Sequence, residues 1–175
     1  MSVLKYKRKE SKFEVFDYFY RTRKEITDLL LRDFGYDKTK SDARVQKYFG
    51  GRKFEELNEQ EKDRYIKIQN KNIAFDDWFI VDERKTIMDC LRTITEEVFV
   101  ANSIYPSMPE ELVERRIHQD RAIGECHRLL QELQYAIEVL PVDINKYTHF
   151  ADMVNHEIDL IKGWRKSDNK FKGNF

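Results

Sequence analysis

The stretch ECHRLLQELQYAIEVL at residues 125–140 repeats apolar side chains on a helical period. Its apolar stripe advances in alternating steps of four and three residues: Cys126, Leu130, Leu133, Ile137 and Leu140. Side chains at that spacing lie on one face of an α-helix, because the helix completes a turn every ~3.6 residues. Such a face leaves water only by packing on another apolar face, so the stretch predicts a helix in contact with other helices.

Three further stretches have the same period, which gives four predicted long helices. The four predicted helices cover approximately residues 11–34, 81–103 and 109–140, and from residue 143 into the 160s. The short turn between the third and fourth helices makes them antiparallel neighbours. The sequence therefore predicts an all-α protein, an antiparallel up-down four-helix bundle in a single domain spanning 1–175.

Several helix ends carry recognisable capping residues. Ser11 and Glu14 have the spacing of a capping box, and Gly35 is a natural stop for the first helix. Pro109 suits the first turn of the third helix, and Asp143 is placed to cap the fourth. Between the third and fourth helices, Pro141 cannot continue a helix.

Residues 36–80 separate the first and second predicted helices and are rich in charge and aromatic side chains. Two short helices are plausible there, at about 41–48 and 58–70, the second starting at Asn58 with Glu61 three residues later. A structureless loop of this length is unusual in a compact domain. We interpret the segment as a partly helical insertion that packs its aromatics on the bundle or on a partner.

Charge is distributed unevenly, although the formal net charge of the chain is zero. Residues 1–12 and 162–175 each carry a net charge of +4, so the remainder of the chain is acidic. We therefore describe residues 1–10 and 166–175 as basic tails. Such ends are either simple solvated tails or surfaces that bind phosphates or an acidic protein.

Basic residues interleaved with aromatics are the chemical signal in this sequence, because Lys and Arg bind phosphates while an aromatic ring stacks on a base. The candidate nucleic-acid or partner-binding residues are Lys5, Lys7, Arg8, Lys9, Lys12, Arg115, Arg116, Trp164, Arg165, Lys166, Lys170 and Lys172. Two structural alternatives stay open. Cations at the end of the last helix offset its dipole, and Trp164 lies one helical step after Ile161, where it could close the core.

Motifs of catalysis and of metal or cofactor binding were sought, and none is complete. The four histidines lack the spacing of di-iron and zinc sites, and Gly50-Gly51 lacks that of a phosphate-binding loop. We predict no catalytic residue, cofactor or metal, and hence no enzyme. The enzymatic alternative is a nuclease that uses carboxylates such as Asp76, Asp77, Glu96 and Glu97. A metal-dependent activity would support this alternative.

Cellular location is predicted from what the chain contains. Cys90 and Cys126 lie in helical stretches and are interpreted as buried thiols in a reducing compartment. Residues 1–12 have no apolar run of signal-peptide length, and no run approaches the ~20 apolar residues of a membrane span. We expect a cytoplasmic protein without membrane contact.

Three short motifs give the chain a family resemblance. MSVLK at 1–5, followed by KR at 7–8 and ESK at 10–12, resembles the start of small bundle proteins encoded beside bacterial reverse transcriptases. ANSIYP at 101–106 and KSD at 166–168 are similar to the ends of their second and fourth helices. The chain thus resembles the accessory variability determinant proteins of diversity-generating retroelements, except over 36–80.

The resemblance implies a non-enzymatic partner of a reverse transcriptase that also binds structured template RNA. Proteins of that family assemble as rings, typically pentamers, and support error-prone cDNA synthesis that diversifies a target gene. They are usually strongly basic, whereas the body of this chain is acidic, so we expect RNA contacts to concentrate at its basic ends. The alternative hypothesis is an oligomeric protein–protein adaptor or scaffold that does not bind nucleic acid.

Overall fold

The computed structural model describes residues 13–174, and this range is helical with no strand. Its six helices are α1 (Glu14–Leu31), α2 (Lys38–Tyr48), α3 (Glu59–Ala74), α4 (Ile80–Ser103), α5 (Pro109–Val139) and α6 (Asn145–Ser167). Shorter 3₁₀ turns cover Asp33–Gly35, Phe54–Glu56 and Asp168–Asn174. The all-α prediction is confirmed for these residues. Ser11, where the first helix was expected to begin, and the tail 1–10 lie outside them.

The end of α1 is a left-handed turn of three consecutive residues. Asp33, Phe34 and Gly35 have φ angles of 50°, 59° and 76°. Glycine adopts such angles freely. A bulky residue such as Phe34 is strained at these angles and keeps them only where its surroundings hold it in place. The Phe34 side chain is buried, and its carbonyl oxygen accepts a hydrogen bond from the Tyr147 hydroxyl at 2.5 Å. Helix α1 thus ends at Leu31, about three residues before the predicted end at Phe34, and two non-glycine residues share the unusual geometry with Gly35.

Helices α2 and α3 form a small unit that we call the arm. Both helices expected within 36–80 are present, and the predicted start at Asn58 is confirmed. Asn58 Oδ1 accepts from the Glu61 N–H at 2.9 Å, while the Glu61 carboxylate accepts from the Asn58 N–H at 3.1 Å. The arm has its own apolar cluster, made of Val45, Phe49 and Leu57 with Tyr65 and Ile68 packed against it.

Helix α3 runs into α4 through a π-helical turn at Phe75–Phe79. Phe75, Phe79 and Ile80 all keep α-helical dihedral angles, so the chain does not break near residue 80, where we expected the insertion to end. A π turn holds one more residue than an α turn and therefore rotates the following helix face relative to the preceding one. Phe75 and Phe79 are both buried in the main core.

The main core lies among α1, α4, α5 and α6. Helix α4 packs against α5, α5 against α6, α6 against α1, and α1 against α4. The predicted α4 stripe is fully buried, comprising Ile87, Leu91, Ile94, Val98 and Ala101. Cys90 and Cys126 are free thiols with no exposed surface, which confirms the prediction that both are buried. Burial raises the pKa of the Cys90 thiol to about 11, which disfavours the nucleophilic thiolate at neutral pH.

The buried face of α5 differs from the predicted one. The buried apolar side chains in its second half are Ala122, Cys126, Leu129, Leu133 and Ala136, followed by Leu140 directly after the helix. Leu130 and Ile137, which we placed on the central stripe, are half-buried at its edge. The reason is that α5 packs on α4 and α6 at once, and two neighbours bury a wider face centred between them.

Candidate nucleic-acid interface

A buried ion pair joins the first turns of α5 to the end of α6. Asp168 is 1% exposed and accepts hydrogen bonds from Arg115 Nε at 2.8 Å and Nη2 at 3.2 Å. Gln119 Nε2 donates to the same carboxylate at 2.8 Å. A two-pronged arginine–carboxylate contact is the strongest form of this pairing, and its geometry fixes both partners. The pair therefore sets the position of the chain at the carboxyl end of α6.

The remaining contacts of Arg115 are also made inside the protein. Its Nη1 donates to the Ile104 carbonyl at 2.7 Å, and its guanidinium lies 4.9 Å from the centre of the Trp164 ring. Trp164 is half-buried and packs edge-on against Phe13. Of these two predicted binding residues, Arg115 is thus buried and Trp164 is partly covered. Arg115 supports the surface rather than forming it.

The segment after α6 folds back on the protein. Residues 168–174 form a 3₁₀ turn, and the buried Phe171 ring packs edge-on against Tyr105 at 5.6 Å. Lys170 and Lys172 remain exposed on either side of Phe171. Within the described residues, these two lysines are therefore held on a folded turn and do not extend away as the basic tail we expected of residues 166–175.

Next to the buried pair lies an open cavity of about 260 Å³, which we call the basic pocket. It is lined by Arg116, Lys162, Arg165, Lys166 and Asn169. Four of these residues come from α6 and the turn after it, where spacings of three and four residues place them on one face. Arg116 joins them from α5, because its neighbour Arg115 is fixed by Asp168.

Only part of the positive charge in the basic pocket is balanced. Arg165 forms an ion pair with Asp120 at 3.0 Å, and Arg116 Nη2 donates to the neutral amide oxygen of Asn169 at 2.8 Å. The Nε of Arg116 is buried and has no hydrogen-bond partner within residues 13–174. A buried donor without an acceptor costs free energy, so this side chain is incompletely satisfied in the described protein.

These side chains suit the binding of an oxyanion such as a phosphate. Arginine and lysine stay protonated at neutral pH and form charge-assisted hydrogen bonds to phosphate oxygens. The positions of Arg116, Arg165 and Lys166 agree with a shared role, since they converge on one cavity. Lys5, Lys7, Arg8, Lys9 and Lys12 lie outside the described residues.

Lys162 and Asn169 were not among the predicted site residues. Their sequence signal is the spacing 162, 165, 166 and 169, which follows one helical face with a cation at three of its four positions. The contribution of Arg116, by contrast, depends on how α5 and α6 pack, and its sequence position does not reveal it.

The carboxylates considered for catalysis lie apart from the basic pocket along the chain. Asp76 sits in the π turn and pairs with Lys38 at 2.7 Å, and Asp77 is exposed beside it. The Glu97 carboxylate is 2.5 Å from His118 Nδ1, whereas Glu96 faces solvent. Among residues 13–174, no three His, Cys, Asp or Glu side chains are grouped as metal ligands.

None of the helices described between residues 13 and 174 combines the length and apolar character that crossing a membrane requires. Comparison with protein-family models, with curated proteins and with solved structures found no match to this chain.

Proposed function

We propose that this protein is a non-enzymatic accessory subunit that binds a reverse transcriptase and its structured template RNA. In this role it supports error-prone cDNA synthesis in a diversity-generating retroelement, in the cytoplasm of a bacterium. The observation that carries the RNA-binding part is the basic pocket, where four cations converge and only one has an acidic partner described. The resemblance of residues 1–5, 101–106 and 166–168 supports the polymerase part.

We further propose that α1, α4, α5 and α6 form an antiparallel up-down four-helix bundle, with the arm as an insertion between its first two helices. The cyclic packing of these four helices supports this arrangement. The connections from α4 to α5 and from α5 to α6 are only five residues long, and such short turns join antiparallel neighbours.

RNA binding is tested by titrating labelled template RNA with the protein at 50 and 200 mM salt. Each phosphate that the protein neutralises contributes roughly −0.7 to −0.9 to the slope of log K against log salt. We expect Lys162→Ala with Lys166→Ala to weaken binding about tenfold or more and to reduce that slope by between one and two. Lys85→Ala, which removes an exposed lysine from α4, is the matched control and should have little effect.

Contact with the polymerase is tested by co-purifying the two proteins with and without nuclease treatment. The proposal expects the complex to form and to bring the RNA with it. Binding of the RNA that does not depend on salt, or absence of RNA binding both with and without the polymerase, would contradict it.

The alternative function, an oligomeric adaptor or scaffold that does not bind nucleic acid, has one observation in its favour. Val113 and Ile117 are exposed one turn apart on one face of α5, and Phe99, Val100 and Met108 are also exposed near the junction of α4 and α5. Clustered exposed apolar surface is typical of protein interfaces. Both proposals include self-association, and the family resemblance implies a pentamer.

Light scattering of the purified protein tests self-association. If the exposed apolar face of α5 at Val113 and Ile117 joins copies of the chain, Val113→Asp with Ile117→Asp should shift the mass to that of a monomer. Tyr20→Asp, at an exposed residue of α1, is the control. An oligomer that fails to bind RNA at low salt would favour the adaptor.

A further inference from the structure

A second cavity, of about 400 Å³, lies between the arm and the carboxyl end of α5. We call it the arm cleft. Its apolar lining consists of Val45, Tyr48, Ile68, Phe75, Val139 and Leu140. A volume of this size is within the range of ligand-binding pockets, and apolar walls give such pockets most of their affinity.

The walls of the arm cleft are held in place by hydrogen bonds. Arg44 Nη1 donates to the Pro141 carbonyl at 2.9 Å, which ties α2 to the connection between α5 and α6. Ser41 Oγ donates to Asn72 Oδ1 at 3.1 Å, and both side chains are buried between α2 and α3. The cleft is therefore formed before any partner binds, which lowers the entropic cost of binding.

The rim of the arm cleft is mainly basic. Exposed Arg44 and Lys71 line it from the two arm helices, and Glu138 is the acidic member of the described lining. Spacings of three and four residues extend the positive charge along both helices, since Lys47 follows Arg44 on α2 and Arg64 shares a stripe with Ile68 and Lys71 on α3. An apolar floor thus lies between Arg44 on one arm helix and Lys71 on the other.

We propose that the arm cleft binds an acidic amphipathic segment of a protein partner. Leucine or aromatic side chains of that segment fill the apolar floor, while its Asp and Glu residues meet the basic rims. A nucleic acid fits less well, because it has no aliphatic side chains to cover Val45, Ile68 and Val139. The proposal does not depend on the basic pocket, which lies at the opposite end of α5.

The test uses a labelled synthetic helical peptide with Leu and Phe at one face and Glu elsewhere. A second peptide has the same apolar residues and Lys in place of Glu. Fluorescence anisotropy with the full chain should show saturable binding of the acidic peptide at least about tenfold tighter than binding of the basic one. Two exposed lining residues can be changed with little effect on folding, as Lys71→Glu and Tyr48→Ala.

Each of these two variants should weaken binding of the acidic peptide about tenfold. The matched controls are Lys85→Glu, at an exposed lysine of α4 outside the cleft lining, and Tyr20→Ala on α1, and both should bind within about twofold of the unchanged protein. Three results would overturn the proposal: no saturable binding of the acidic peptide, equal binding of the basic peptide, or unchanged binding in both cleft variants. Displacement of the peptide by template RNA would also overturn it, because the cleft would then be a nucleic-acid surface.

Discussion

One hydrogen bond holds the left-handed backbone that follows α1, and its donor is the Tyr147 hydroxyl. It donates to the carbonyl of Phe34, a residue with φ of 59°. Tyr147→Phe leaves that buried carbonyl without its donor and should lower the free energy of unfolding by about 1–2 kcal/mol. Urea denaturation measures the change. Tyr20→Phe, at an exposed tyrosine, should stay within about 0.5 kcal/mol of the unchanged protein.

A buried carboxyl group makes stability depend on pH. Glu157 has no exposed surface, and neither of its carboxylate oxygens has a hydrogen-bond partner among residues 13–174. Burial raises the pKa of Glu157 to about 8, well above its ordinary value of 4.5. The folded protein thus holds this proton more tightly than the unfolded chain does, so stability falls as pH rises from about 4.5 through 8.

Glu157→Gln should remove most of that dependence, because the amide is neutral at every pH. We expect the variant to match the unchanged protein near pH 4 and to exceed its unfolding free energy by roughly 2–4 kcal/mol at pH 9. Thermal unfolding followed across this range measures the difference. Burial, with help from Glu132 and Asp82, raises the pKa of Glu83 to about 7, so a smaller fall in stability should remain in the variant. A constant difference between the two proteins at all pH values would show that Glu157 does not carry the effect.

At the scale of elements, the arm should unfold more easily than the main core. Phe49 belongs to the separate apolar cluster of the arm and packs on Tyr65. Phe49→Ala should destabilise this cluster by about 3–5 kcal/mol, while α5 keeps its own core contacts. Hydrogen exchange should then speed up in α2 and α3 and change little in α5. Leu129→Ala, in the main core, is the opposite control and should accelerate exchange throughout the described helices.

Elements with local signals were predictable from sequence, and contacts between distant elements were not. The Asn58 cap and the stripe of α4 follow from residues within a few positions of each other, and both are confirmed. The centre of the buried face of α5 was placed at the wrong residues in our prediction, because this centre depends on which two helices flank α5. Arg115 gave no local sign of burial, since its partner Asp168 lies fifty-three positions away in the sequence. Among the residues that line the basic pocket, only those of α6 and the turn after it have a sequence spacing that predicts a shared face.

For the whole molecule, uneven charge matters more than net charge. The formal net charge is zero, yet the basic pocket gathers four cations at one place. We expect retention on immobilised heparin at low salt and pH 7.5, because a local cluster attracts a polyanion regardless of the total charge. Arg116→Ala with Lys162→Ala and Lys166→Ala should elute at clearly lower salt. Equal elution of this variant would place the attraction elsewhere in the chain.

The π turn between α3 and α4 has an evolutionary consequence. Its additional residue sits between two rigid helical segments, so loss of a single codon there would convert it to an ordinary turn. Each residue of an α-helix accounts for about 100° of rotation, and the arm would swing by that angle around the helix axis. One deletion could thus aim an unchanged appendage in a new direction, offering selection a large reorientation in a single genetic step.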